Sequence, residues 1–332
     1  MRITTRVAGA LLFIAILLLL PTNSNSASSK RAALTAADFE KMLTSISNWG
    51  RWGKDDQLGA LNLITAEKRR QAARLVRDGI SVSLAHNALK EKVGGSGAFE
   101  QRMIMTGLNE NANASMDSYS VAYHGYTQTH LDALCHLFHK GQMYNGISQR
   151  EVTERGAQRL SVLAIKDGLF TRGVLMDMPA LTGAEFLIGA KAIYPEDLEA
   201  WEKKAGIKVG SGDAILIRTG RWARRAAQGD WDFEKGSAGL DASCLPWLKS
   251  RDVAILGSDL AADVMPSGIE GVTLPVHFGS IYAMGVPILD NLDLEPLSAA
   301  AARQRRWEFL LTAAPLRVEG GTGSPINPIA TF

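Results

Sequence analysis

Four of the chain's six histidines fall in one window, Tyr123–Gly146, at His124, His130, His136 and His139, with Asp132 among them. If Thr127–Asp132 is extended, Gln128, His130 and Asp132 share one face, because side chains alternate along a strand. A helix capped by Asp132 then brings His136 back over that carboxylate one turn later. Two imidazoles and a carboxylate so placed are the donor set for a divalent metal with a base beside it. A capping Asp among hydrogen-bonded or surface histidines uses the same residues, and the short pattern HxDxxxH does not separate the two.

A second constellation lies at Leu274–Leu294, LPVHFGSIYAMGVPILDNLDL. Pro275 suits the first turn of a helix, His277 sits in that turn, Gly285 ends it, and Val286–Leu289 is a strand that delivers Asp290 at its end. One more imidazole and one more acid are what a site opened by His130 and Asp132 still lacks. Taken singly, His277 reads as a partly exposed first-turn residue and Asp290 as a turn former before Asn291.

The elements that must carry these groups alternate between strand and helix. GDAILIRTG holds the apolar run AILI, the pattern of a strand buried on both faces, and Arg172–Met178 and Val253–Ser258 are further buried strands, the last ending in GSD with Asp259 just beyond. Helices are expected over Ala66–Asp78 behind a Thr65 cap, Tyr194–Ala205 started by Pro195, Arg221–Gln228 and Leu240–Ser250. Trp307–Ala314 is strand-like, and GGTGSPINP reads as a closing loop. Buried strands interleaved with helices make an α/β fold. Trp49 and Trp52, on a Gly-rich loop, can line a pocket for a planar ligand or simply pack.

Composition narrows the function classes. An apolar content of 46% over 332 residues is ample for a packed core. A net charge of +2, from 36 basic and 34 acidic residues, leaves no footprint for nucleic acid, and the clusters Arg221–Arg225 and Arg303–Arg306 read as short solvated helix faces. Arg2 and Arg6 precede an apolar run from Val7 to Leu20 and then small polar residues, the layout of a secretory signal peptide over residues 1–26 with the mature domain at 27–332. The run is shorter than the roughly 20 residues of a membrane span, so a periplasmic or secreted protein with no membrane attachment after cleavage is expected. Cys135 and Cys244, the only two cysteines, make no disulfide framework, and a buried free thiol is the expected state of each.

The order THLDALCH, GDAILIRTG, GSD and PVHFGSIYAMGVPILDNLDL, from the WGRWGKDDQLGALNLIT loop to PLRVEGGTGSPINP, resembles the cyclase family of metal-dependent hydrolases, which includes bacterial kynurenine formamidase and isatin hydrolase. The resemblance implies a swivelling β/β/α-type single domain with a mixed, largely buried sheet, assembled as a homodimer or homotetramer. It implies hydrolysis of a small cyclic or aryl non-peptide amide by metal-activated water, the metal being Zn or Mn. In the family motif HxxxHxDxxxH, His130 and Asp132 stand as ligands and His136 as the proton-transfer residue, while Tyr126 stands where the first His belongs. His124 or Gln128 is left to replace that imidazole, His277 and Asp290 to complete the site, and one metal is expected. Trp49, Trp52 or Phe138 is expected to stack on the substrate's ring, and His139 to lie at the surface or a pocket edge. A lactone or ester hydrolase with the same site, or an exported protein that binds a metal or small ligand without catalysis, is the alternative.

Overall fold

Ala214–Arg218 buries all five of its residues, and each of Ile215, Leu216 and Ile217 contributes on the order of 2 kcal/mol by leaving water. Such a strand must lie inside a sheet covered on both faces. A computed structural model describes residues 34–93 and 97–332 and shows that sheet. Its nine strands in chain order are β1 (Ser81–Ser83), β2 (His130–Asp132), β3 (Leu169–Asp177), β4 (Ala214–Arg218), β5 (Ile255–Ser258), β6 (Ile288–Asp290), β7 (Glu308–Ala313), β8 (Gly323–Pro325) and β9 (Ile329–Thr331). They lie in the order β1-β9-β7-β3-β4-β5-β6-β2-β8.

The centre, β3-β4-β5-β6, is parallel, and every pairing outside it is antiparallel. Each parallel step needs a crossover, and helices supply it: Pro195–Ala205 between β3 and β4, Arg221–Gln228 and Cys244–Ser250 between β4 and β5, and Pro275–His277 running into the π-helical turn Phe278–Met284 between β5 and β6. The fold is therefore a mixed α/β domain with a largely buried sheet. The parallel strands end in Asp177, Arg218, Ser258 and Asp290, and such carboxyl ends are where α/β sheets place their chemistry. The leader expected at residues 1–26 lies outside the described residues. Among those described, no helix is long and apolar enough to cross a membrane.

Four expectations are corrected. No helix follows Asp132: the Ala133 amide bonds Thr322 O at 3.0 Å and the Cys135 amide bonds Leu160 O at 3.2 Å, so donors that a helix would turn inward go to distant segments. GGTGSPINP is not simply a loop, since Gly323–Pro325 becomes β8 and pairs with β2 in the order Gly323↔Asp132, Ser324↔Leu131, Pro325↔His130. The Arg221–Arg225 cluster is not a solvated face at its first member, because Arg221 is only 2% exposed. The helix after Thr65 also stops early, at Ala73 rather than Asp78.

Candidate metal centre

Alternation along β2 turns His130 and Asp132 to one face, and antiparallel pairing with β6 sets Asp290 directly opposite His130. Two-residue periodicity alone thus gathers three candidate ligands. His130 Nε2 is 3.3 Å from Asp132 Oδ1, and its Nδ1 donates to the Gln128 carbonyl at 2.9 Å, which aims Nε2 into the centre. His136 reaches back without a helix, through a turn in which its amide bonds Ala133 O at 2.9 Å, and its Nε2 lies 3.7 Å from Asp132 Oδ2.

The two candidates for the missing imidazole lie in different places. His124 stands with Nδ1 2.9 Å from Asp132 Oδ1, its ring stacked on His136 at 4.0 Å between centroids. Thr322 holds its other nitrogen at 3.0 Å. Gly323 makes room: a Cβ there would sit 3.1 Å from His124 Cε1. The Gln128 side chain is instead committed to Leu89, donating to its carbonyl at 2.8 Å and accepting from its amide at 3.2 Å.

On the other side, His277 Nε2 meets Asp290 Oδ2 at 3.0 Å, and Nδ1 meets Asp263 Oδ2 at 2.6 Å. Asp263 was not singled out from the sequence. Its carboxylate also accepts the amides of Val276 at 2.6 Å and His277 at 3.2 Å, so it fixes both the first turn of the helix and the imidazole on it. The available signal was a lone acid in the apolar run Leu260-Ala261-Ala262-Asp263-Val264-Met265.

Electrostatics follow the burial. Burial alone would raise the Asp132 carboxyl, but the imidazoles of His130, His136 and His124 around it hold it well below the usual range. Burial opposes charge on His130, yet the Asp132 carboxylate lifts it to about 9. His277 is likewise raised against its burial, by Asp290 and Asp263. His136 goes the other way: burial pushes it down to about 4, so at neutral pH it is uncharged and carries a free lone pair.

The residues fit a divalent cation. Asp290 Oδ1 is buried with no hydrogen-bond partner, and His124 Nδ1 and Asp132 Oδ1, 2.9 Å apart, are buried with only imidazole and carboxylate atoms of the cluster around them, a costly state unless something electropositive meets them. Ligand atoms of His124, His130 and Asp132 converge within 4.8 Å of one another, as do those of Asp132, His277 and Asp290. Asp132 belongs to both groups, so the geometry offers two adjoining positions where one metal was expected.

The aromatic side chains expected near substrate are dispersed. Trp49 donates to Tyr282 O at 2.8 Å and lines a cavity of about 300 Å³ with Glu40, His139 and Tyr282, whose wall includes none of the ligand candidates. His139, pairing with Glu40 at 3.0 Å, is thus at a pocket edge. Trp52 packs under Arg51, and Phe138 is 41% exposed.

The family model described as Putative cyclase matches residues 55–263, a stretch that holds His124, His130, Asp132, His136 and Asp263. Isatin hydrolase from Roseibium aggregatum is 31% identical over 155 residues, 44% of this chain and 52% of that protein; the chain spans about half the length of this curated relative. A crystal structure of a novel cyclase superposes with a TM-score of 0.78 at 30% identity, covering 86% of this chain and 99% of the other. Isatin hydrolase A from Labrenzia aggregata, bound to benzyl benzoate, shares the fold with a TM-score of 0.55 at 21% identity, over 79% and 96% of the two chains. With the match running over more than half of the sequence and through the histidine-rich strand, the chain belongs to the Putative cyclase family.

Proposed function

We propose that this protein is a metal-dependent hydrolase of a small, non-peptide cyclic or aryl amide. The observation that carries this is the convergence of buried ligand atoms of His124, His130, Asp132, His277 and Asp290 beside a neutral His136. A divalent cation held there, Zn or Mn, would supply Lewis acidity, polarising a carbonyl and lowering the pKa of water toward about 7.

The chain's own residues do the rest. His124, His130 and Asp132 hold one position, with His124 standing in for the imidazole that Tyr126 replaces. His277 and Asp290, with Asp132 again, face a second position. His136 takes a proton at Nε2 from the attacking water and passes it to the leaving nitrogen. Asp132, within 3.7 Å, steadies the imidazolium while it lasts. The C–N bond breaks, a carboxylate forms, and the amine leaves protonated.

Similarity to isatin hydrolase favours an amide over an ester. Turnover of isatin, N-formylkynurenine and an aryl lactone by the purified protein checks this. Hydrolysis of either amide at a kcat/KM at least tenfold above the lactone is expected, and lactone turnover alone contradicts it. The run Val7–Leu20 supports a periplasmic or external location, and amino-terminal sequencing of exported protein is expected to start at Ala27.

A further inference from the structure

Arg221 is a charged residue almost wholly inside the protein, 2% exposed, on a helix whose sequence reads as a basic surface. Burying a guanidinium is costly unless its donors are spent well, so where they go is informative. Nη1 donates to Asn291 Oδ1 at 2.8 Å and Nη2 to the Tyr126 carbonyl. Its plane stacks on Trp222 at 4.1 Å and lies 5.0 Å from Phe233. The start of its helix is pinned by the buried Asp259 carboxylate, which accepts the amides of Thr219, Gly220 and Arg221 at 2.8, 2.8 and 3.2 Å.

Asn291 carries the contact onward. Because Arg221 is a donor only, Asn291 must turn its oxygen to it, which fixes the amide nitrogen on the other side. That nitrogen donates to Gly125 O at 2.6 Å and to Gln128 O at 3.0 Å. The Gln128 carbonyl is the same atom that accepts from His130 Nδ1. Asn291 is also the neighbour of Asp290 and holds a left-handed backbone, φ 55°, which Asn tolerates better than most residues. One guanidinium and one amide therefore grip the Gly125–Gln128 turn between His124 and His130.

We propose that Arg221 and Asn291 are positioning residues for the metal centre: they lock the Gly125–Gln128 turn and, through the Gln128 carbonyl, hold His130 with Nε2 facing Asp132. Neither belongs to the candidate ligand groups. The inference rests on the ligand assignment proposed above. It adds the device that lets the chain use His124, two residues ahead of Tyr126, by holding the turn that follows it. Ring orientation set from behind in this way commonly governs metal affinity by 10- to 100-fold.

The test measures metal binding, not turnover. Metal-stripped full-length protein is titrated with Zn²⁺ against a chromophoric chelator, and its Co²⁺ form is examined by visible absorption. Asn291→Asp keeps the size, the tolerance of positive φ and an acceptor for Arg221, but loses both donations to the turn. Arg221→Lys keeps the charge and loses the fork. Both are expected to raise the Zn²⁺ Kd, roughly 10- to 100-fold for the first and about tenfold for the second, and to shift the Co²⁺ bands. Arg224→Ala, on the same helix but stacked on Trp231 away from the turn, is the control for loosening alone and is expected to leave Kd and spectrum unchanged. Wild-type Kd and Co²⁺ bands in both variants overturn the proposal, as does weakening in all three in proportion to lost melting temperature. If Asn291→Asp does not fold, Arg221→Lys decides by the same criteria. Wild-type protein that binds no Zn²⁺ overturns the ligand assignment and this inference with it. Wild-type protein that binds Zn²⁺ but hydrolyses no amide contradicts only the proposed reaction, and the shifted Kd of the variants still supports the positioning role.

Discussion

His130 and Asp290 are 160 residues apart in sequence and are direct partners across the antiparallel pair β2–β6. That one register match joins the histidine-rich strand to the second constellation. A slip by one residue would turn His130 and Asp132 to the opposite face and dissolve the site.

Asp132 is common to both ligand groups, so its loss is expected to differ in kind from loss of any other candidate. Asp132→Ala should bind no metal. His124→Ala should empty only the position shared with His130, and Asp290→Ala only the one shared with His277. Metal-to-protein ratios from elemental analysis after gel filtration check this. Equal ratios in all three variants contradict a bridging role.

Asp263 reaches the centre only through His277. Asp263→Asn keeps the size but weakens the contact to Nδ1 and leaves one of the two helix amides poorly accepted. The expectation is a 10- to 100-fold loss of kcat/KM. A melting temperature lower by about 1–2 °C should accompany it, from about 1 kcal/mol of lost capping. Unchanged kinetics would show that His277 orients itself.

Protonation gives opposite signatures at His136 and His130 in metal-free protein. An unfolded chain protonates His136 near its ordinary value of about 6.5, whereas the folded one does so near 4. Its contribution to stability is therefore present above about pH 6.5 and is lost as pH falls through 4. His130, raised to about 9, contributes below about 6.5 and loses that contribution as pH rises through 9. Urea unfolding from pH 4 to 9.5 should show His136→Gln flattening the acid limb and His130→Gln the alkaline one. The reverse assignment would contradict the geometry.

Cys135, inside the histidine motif, is held as an inert thiol: burial pushes it up to about 12. Neither cysteine is in a disulfide, and both are buried. Labelling with a thiol reagent at pH 8 is expected to be at least 100-fold slower in the native protein than after denaturation. Rapid native labelling of Cys135 would mean that the centre opens.

Much of this was legible in the sequence, and what was not has physical causes. His130 and Asp132 lie one strand period apart, Asp290 at a strand end and His277 in the helical turn that Pro275 opens, so local pattern finds them. AILI in Ala214–Arg218 announced a buried strand, and the structure buries it on every residue. Gly323–Pro325 gave no such signal, because a three-residue strand with Gly and Pro has turn chemistry and takes its conformation from pairing with β2. The missing helix after Asp132 is the same effect, with Thr322 and Leu160 taking the amides. Arg221 misled for another reason: the composition of a helix tells which residues are charged, but its packing tells which of them faces inward.

The most direct test is turnover by metal-stripped protein. After dialysis against a chelator, hydrolysis of isatin and N-formylkynurenine should fall by at least 100-fold, with Zn²⁺ or Mn²⁺ restoring it, and Asp132→Ala should not respond to either ion. Activity that persists in stripped protein, or returns in Asp132→Ala, would contradict a metal centre built on Asp132.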